Sequence, residues 1–489
     1  MAGYPEFLQM ASSGNVVPVV ETMPADLLTP LGVYLSLAAD SDESFLLESV
    51  EGGASLARYS FIGAGPDFVA SGDGTGVTIR KPDGSVDRSY SNVVEFLRAH
   101  FEGYRAVFGA DLPAFIGGAI GYLDFDSCDI FEPSLRSSTK RPDHSLLMFF
   151  RSIVAFDHAR QQVRIVTLVF LEGKENHSDL YDAAVARNRE LRSLLESGHP
   201  VLPKRGSIQT ARDSTSNWTR AEFESAVERV KELIRAGECY QVVLSQCFSR
   251  PTDASGLSIY RALRSINPSP YMFLIQSGEK SVVGSSPEML VRCADRRLDY
   301  RAIAGTRPRG ETELEDVGLA DEMRADPKEV AEHLMLVDLG RNDLGRVAEF
   351  GSVTIDELMK VEKYSHVQHL VSSLSATLRS DLDCFDALAA CFPAGTVSGA
   401  PKVRAIEIIR DFEPTQRGLY AGAVGYFDYS GNMDTCIAIR TLVLENGVAK
   451  IHAGAGIVAD SVPSLEFEET VNKARVLLKA ISIAESGAV

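Results

Sequence analysis

The stretch IRTLVLENGVAKIHA, residues 439–453, holds two apolar runs separated by Asn446-Gly447. That dipeptide favours a two-residue hairpin turn, because Asn and Gly tolerate the backbone such a turn needs. A hairpin makes its two strands antiparallel neighbours. Working outward, HAGAGIVAD (452–460) leads into a last helix that runs to about residue 484. Upstream, TRAEFESAVERVKELIRAG (219–237) starts on a capping-box pair, Thr219 and Glu222, and stops at Gly237. Between these, YMFLIQ, SVVGSSPEML, RAIAGTRPRG, FDALAACFPAG, KVRAIEIIRDF and YAGAVGYFDY mix strand and helix patterns without a regular βαβ rhythm. That mixture predicts an α+β fold, with antiparallel sheets covered by helices.

Residues 1 to about 200 carry short alternating apolar stretches between turn residues: SFLLESV, GVTIRKPDG, AFIGGAIGYL, SLLMFFRSIVAFD and VRIVTLVFL. They read as strands of a mostly antiparallel sheet. SDLYDAAVARNRELRSLLESG (178–198) has helical periodicity. The polar, aperiodic stretch that follows makes the best boundary, so we expect an N-terminal region 1–205, a linker 206–215 and a second region 216–489.

The chain has 489 residues, 45% of them apolar and 24% charged, with 49 Lys+Arg against 67 Asp+Glu. A net charge of −18 offers no basic surplus to neutralise phosphates, so neither nucleic acid nor an anionic membrane is expected as a partner. No apolar run spans a bilayer, and MAGYPEFLQM lacks the basic-then-apolar pattern of a signal peptide. The seven cysteines are scattered and form no C-x-x-C, which reads as buried, reduced thiols and a cytoplasmic location. None lies in G-x-C-x-G, the elbow expected of a glutaminase nucleophile.

Two helix starts carry paired carboxylates. DPKEVAEHLMLVDLGRND (326–343) presents Glu329 and Glu332, and SLEFEETVNKAR (464–475) presents Glu466 and Glu469. Residues three apart share a helix face. Asp326-Pro327 with Glu329 has the spacing of a capping box, so Glu329 reads equally as a cap. Glu332, inside the turn beside His333, is harder to explain that way. Four carboxylates on two helix starts suit a hard divalent ion such as Mg2+, which takes one or two protein carboxylates directly and keeps several waters. The Glu329-x-x-Glu332-His333 run approaches the inverted zinc motif but begins with Glu in place of His.

HAGAGIVAD superficially resembles a dinucleotide fingerprint, yet no helix starts within it. Its glycines still let a backbone approach a ligand closely. FPAGTVSGAPKVRAIEII (392–409) and AIAGTRPRG (302–310) lack Walker spacing; their Gly, Thr and Arg read as ordinary turns or as anion-binding loops. His369 in HVQHLVSSL reads as a core histidine or a catalyst.

Taken in order, GSSPEMLV, AIAGTRPRG, AEHLMLVDLGRNDLGRV, HLVSSL, FPAGTVSGAPKVRAIEII, YAGAVGYF, DTCIAIRTLV and AGAGIVADSVPSLEFEETVNKAR resemble the chorismate-utilising enzymes, and within them the component I subunits of anthranilate synthase. The resemblance is dense over 216–484 and thinner in FLLESVEGGASLARYSFIG (45–63). Aminodeoxychorismate synthases, the alternative within the family, typically carry Lys where this chain has Ala304. Isochorismate and salicylate synthases carry Lys at the position of Gln241 to activate water.

The resemblance implies two packed, mainly antiparallel sheets flanked by helices, with both halves intertwined in one body. It implies a Mg2+-dependent reaction of chorismate with ammonia. Glu332 and Glu469 would hold the metal, with Glu329 and Glu466 ordering its waters. Arg440 would grip the enolpyruvyl carboxylate, with Tyr420, Gly454, Ala455, Gly456 and Lys473 completing that pocket and Gly305-Thr306 lying against the ring. Glu288 is the candidate acid and His369 the candidate for later proton transfer. The resemblance also implies feedback inhibition by L-tryptophan, bound at Ser49, Pro270, Tyr271 and Met272, and a separate glutamine amidotransferase subunit as ammonia source. A non-catalytic amino-acid-binding protein is the reading from another class. It would need the effector segments but not Glu332, Glu469, Arg440 and Glu288 together.

Overall fold

The computed structural model describes residues 3–49, 58–72, 76–89, 91–107, 109, 111–136, 145–171, 173, 176–197, 212–363 and 367–487. Two large sheets organise the chain, and every strand ladder is antiparallel. The first has twelve strands. Its centre runs Tyr59–Ala64, Glu43–Glu48, Tyr271–Ser277, Lys280–Ser286, Thr441–Glu445, Val448–Ile457 and Gln241–Pro251. The second has eleven. Its centre runs Val367–Thr377, Arg297–Pro308, Met289–Ala294, Met433–Ile437, Ala423–Asp428 and Gly118–Leu123. Each sheet therefore takes strands from both halves of the chain. Of the expected linker, residues 206–211 lie outside the described residues.

The opening hairpin forms as its turn residues require. Asn446 and Gly447 take φ of 52° and 71°, and Val448 pairs back on Glu445. The N-terminal stretches SFLLESV, AFIGGAIGYL and VRIVTLVFL overlap the strands Glu43–Glu48, Gly118–Leu123 and Gln162–Phe170. The Thr219–Glu222 capping box closes reciprocally, and the helix Arg220–Arg235 ends before Gly237, whose φ is 82°.

The sheets face each other across an apolar layer. Phe45, Phe61, Phe273 and Val282 of the first pack with Ile120, Met148, Val424 and Tyr426 of the second. Helices cover the outer faces: Pro30–Ala38, Gly256–Ile266 and Pro463–Ser486 on the first, Val93–Phe101, Pro327–Gly345 and Cys384–Cys391 on the second. This helix–sheet–sheet–helix layering is the expected α+β architecture. All seven cysteines are free and buried. Among the described residues no helix is long and apolar enough to cross a membrane.

Candidate active site

The helix Pro463–Ser486 begins on a proline and ends at Gly487, whose φ of 65° is left-handed. Thr470, Ala474, Leu477, Ile481 and Ala484 are its buried stripe. Glu466, Glu469 and Lys473 stand at i, i+3 and i+7 and so line up beside that stripe. The Lys473 ammonium lies 2.6 Å from Glu469 Oε1 and donates to the Gly454 carbonyl at 2.9 Å. One side chain thus ties the glutamate ladder to the glycine-rich strand.

That strand, Val448–Ile457, pairs with Gln241–Pro251 so that Gly454, Ala455 and Gly456 face Ser245, Leu244 and Val243. A Cβ on Gly454 would stand 2.6 Å from the Tyr420 hydroxyl, and one on Gly456 2.7 Å from Gln241 Nε2. Both neighbours approach only because the positions are glycine. Tyr420 is buried, stacks on His452 and receives the Arg417 guanidinium over its ring. Burial pushes its phenol up to about 12, so it stays a neutral hydroxyl.

Arg440 follows the strand Met433–Ile437 with φ of 50°. It is half-buried, and its Nη1 donates to the Lys473 carbonyl at 3.0 Å. Burial lowers its pKa, while Tyr420 and Glu469 offset this in part. Among the described residues no carboxylate lies within salt-bridge distance of its guanidinium. A partly desolvated cation without a carboxylate counter-ion is costly, and an anionic ligand would relieve that cost.

Gly305 sits at a register shift between Ala304 and Thr306, with φ of 67°. A Cβ there would come within 3.2 Å of Glu329 Oε2. His369 Nδ1 is 2.9 Å from the Gly305 carbonyl and 3.1 Å from Thr306 Oγ1. A carbonyl only accepts, so Nδ1 carries the proton and Nε2 keeps its lone pair. Burial lowers the His369 pKa, the Gly305 bond opposes this, and the Arg440 charge lowers it again. His369 is therefore a half-buried polar residue within the electrostatic reach of Arg440.

Glu288 lies between the strands Lys280–Ser286 and Met289–Ala294, where the chain passes from the first sheet to the second. Its side chain is buried, and desolvation raises its pKa to about 7, against the opposing pull of the Thr396 hydroxyl and Lys473. The Thr396 hydroxyl itself has no partner within good hydrogen-bond geometry.

The two glutamate pairs differ in environment. Glu329 is half-buried and accepts from Arg307 Nη1 at 2.8 Å; Glu332 is exposed. Glu466 is half-buried and Glu469 exposed. Among the described residues no three His, Cys, Asp or Glu side chains converge closely enough to enclose an ion. The donor set nevertheless fits Mg2+, which does not need an all-protein cage. The donors are all carboxylates, and a cationic group already rests against one member of each pair. Glu329 lies beside Gly305, whose carbonyl holds His369, and His369 is within the electrostatic reach of Arg440, which donates to the Lys473 carbonyl on the helix that carries Glu469.

A second cavity, about 570 Å³ including its mouth, opens between the sheets. Ser49, Pro270, Tyr271 and Met272 line it together with Glu48. Tyr426, Asp434 and Cys436 form the opposite wall. The strands Glu43–Glu48 and Tyr271–Ser277 pair directly, with Met272 opposite Glu48. Ser49 Oγ is buried without a hydrogen-bond partner. Sequence reasoning missed Asp434 and Tyr426 here, and Arg307, Thr396 and Arg417 at the first site. Nothing in their local pattern separates them from ordinary turn and strand residues.

Comparison with known proteins agrees with this fold. The family profile described as chorismate binding enzyme matches residues 55–479. Anthranilate synthase component 1 of Pseudomonas putida is 45% identical, covering 98% of this chain and 98% of the relative. That of Geobacillus stearothermophilus is 44% identical over 98% of this chain and 96% of the relative. The crystal structure of anthranilate synthase component I from Streptococcus pneumoniae TIGR4 superposes with a TM-score of 0.76 at 33% identity, covering 94% of this chain and 99% of that one. The menaquinone-specific isochorismate synthase from Escherichia coli, at 21% identity and a TM-score of 0.71, shares the fold. With the family profile matched over residues 55–479 and relatives above 40% identity over nearly the whole chain, the chain belongs to the chorismate-binding enzyme family, in the anthranilate synthase component 1 branch.

Proposed function

We propose that the chain is the synthase subunit that converts chorismate and ammonia to anthranilate, pyruvate and water. The observation that carries this reading is Arg440, a half-buried cation with no carboxylate partner, set beside Lys473, Tyr420 and Gly454. Chorismate carries two carboxylates, and this acidic protein must meet them with local positive charge. Arg440 takes the enolpyruvyl carboxylate with its planar fork. Lys473 adds charge from the same side.

Glu288, buried and protonated near neutral pH, gives its proton to the departing C4 hydroxyl as ammonia adds at C2. Ammonia needs no base to become nucleophilic, which agrees with Gln241 standing near Gly456 in place of a lysine. His369, its Nδ1 proton held by Gly305, offers Nε2 to take the C2 proton as pyruvate leaves and the ring aromatises. Glu332 and Glu469 would hold Mg2+, with Glu329 and Glu466 on its waters. When bound, the ion neutralises the ring carboxylate and withdraws electron density from the ring.

Residues 1–205 carry the regulatory role and 216–489 the chorismate-binding one. L-Tryptophan occupies the inter-sheet cavity, its ring between apolar walls. Ammonia comes from a glutamine amidotransferase partner, because no G-x-C-x-G nucleophile exists in this sequence. The free, buried thiols support a cytoplasmic enzyme, and the net charge of −18 argues against nucleic acid or an anionic membrane as its partner.

Incubating the pure chain with chorismate, Mg2+ and ammonium salts tests the proposal. Fluorescent anthranilate and an equal amount of pyruvate are expected. An aminated product that keeps its enolpyruvyl group would mark an aminodeoxychorismate synthase, and no consumption of chorismate would remove the enzyme reading.

A further inference from the structure

The inter-sheet cavity and Glu288 meet at one buried hydroxyl. Ser286 is fully buried and ends the strand Lys280–Ser286 in the first sheet. Its Oγ donates to the Ile437 carbonyl of the second sheet at 2.7 Å and accepts from the Glu288 amide at 3.3 Å. The Ile437 amide in turn donates to the Glu288 carbonyl at 3.0 Å. The turn that presents Glu288 is thereby clamped across the gap between the sheets.

The same residue touches the cavity walls from behind. Ser286 is the cross-strand partner of Tyr271, and Ile437 follows Cys436; Tyr271 and Cys436 both line the cavity. Tyr271 Oη donates to Asp434 Oδ1 at 3.1 Å, so the two walls are joined at the cavity as well. A ligand that parts or draws together these walls changes the spacing of Tyr271 against Cys436. That spacing is what the Ser286 clamp spans.

We propose that Ser286 is a positioning residue for Glu288, and that its hydroxyl carries a change in the inter-sheet cavity to the active site. The inference rests on the tryptophan and Glu288 assignments made above. It adds the physical link between them, a coupling free energy passed through one hydrogen-bonded crossing. Glu288 itself faces Thr396 and Lys473. Any shift of its backbone therefore changes both its solvation and its reach.

The test uses the full chain without ammonia, so that chorismate binds without turnover. The tryptophan Kd is measured by calorimetry with and without saturating chorismate. The wild type is expected to show a ratio of about fivefold or more. In Ser286→Ala the ratio should fall to near one, while the Kd without chorismate stays within about twofold. The alkaline limb of kcat/KM, read in the ammonium assay, should also move to lower pH. Ser286→Thr keeps the hydroxyl and should restore both readouts. Ser286→Cys, similar in size but a weak donor, replaces the alanine variant if that fails to fold.

A wild-type ratio and pH limb in Ser286→Ala would overturn the clamp. So would a tenfold loss of tryptophan affinity in the absence of chorismate, which would mark damage to the cavity itself. A wild-type chain that binds no tryptophan would instead sink the effector assignment, and the clamp with it.

Discussion

Lys473 Nζ stands 2.6 Å from Glu469 and 2.9 Å from the carbonyl of Gly454, joining a helix start to a strand that the sequence separates by a turn. Both side chains are more than a third exposed, so their pairing adds only about 0–1 kcal/mol to stability. Their importance is chemical. Glu469→Gln and Glu332→Gln should each abolish anthranilate formation while shifting the melting temperature by no more than about 2 °C. Retained turnover in either variant would remove that residue from the metal site.

Metal removal gives a separate outcome. Dialysis against a chelator should stop the ammonium-dependent reaction, and Mg2+ should restore it. The fold should survive, because the four carboxylates, two exposed and two half-buried at helix starts, hold no core together. Circular dichroism before and after chelation checks this.

Arg440 is predicted to act on binding. Arg440→Leu should raise the KM for chorismate by about 10²-fold or more, since truncating one partner of a desolvated charge pair costs about 2–5 kcal/mol. Stability should hold or rise, because the half-buried cation has no carboxylate partner. Arg440→Lys should recover little, as an ammonium does not reproduce the fork. Steady-state kinetics with a thermal melt separates binding from folding.

Glu288 sets a pH dependence with a defined sign. Burial raises its pKa to about 7 in the folded chain, from the 4.5 of an ordinary glutamate. The folded state therefore holds this proton more tightly than the unfolded state. The resulting stability is present below the unfolded value and is lost as pH rises through about 7. Glu288→Gln should raise the melting temperature more at pH 8 than at pH 4, by up to roughly 3 kcal/mol in free energy. The wild-type kcat/KM, at constant free ammonia, should decline above about pH 7, and the variant should lose both that limb and most of its rate.

The effector cavity makes its own prediction. Ser49→Phe fills the space and Met272→Thr opens its wall, so both should relieve tryptophan inhibition. Met272 is 1% exposed, so its replacement should also lower the melting temperature, by about 2–5 kcal/mol in free energy if the cavity left behind does not collapse. Uninhibited activity should change by less than about twofold in Ser49→Phe. Inhibition curves for both variants decide the assignment.

Much of the architecture could be read from local pattern. Asn446-Gly447 specifies its hairpin because positive φ is cheap there and nowhere else in the stretch. Thr219 and Glu222 satisfy each other's backbone donors within four residues. Pro463 starts a helix whose buried stripe puts Glu466, Glu469 and Lys473 in line. Each rule operates within one or two turns of chain, and that is why the sequence alone determined these elements, the glutamate pairs and the family.

Tertiary structure alone decided the rest. Ser49 and Tyr271 share a cavity only because strands far apart in sequence pair as neighbours in the first sheet. Glu288 holds its proton because the folded chain excludes water from it, and desolvation is a property of the assembled core. Ser286 and Arg307 likewise acquire Ile437 and Glu329 as partners across 151 and 22 positions of sequence. Burial and long-range hydrogen bonding depend on where the whole chain ends up, and no local window of sequence contains that information.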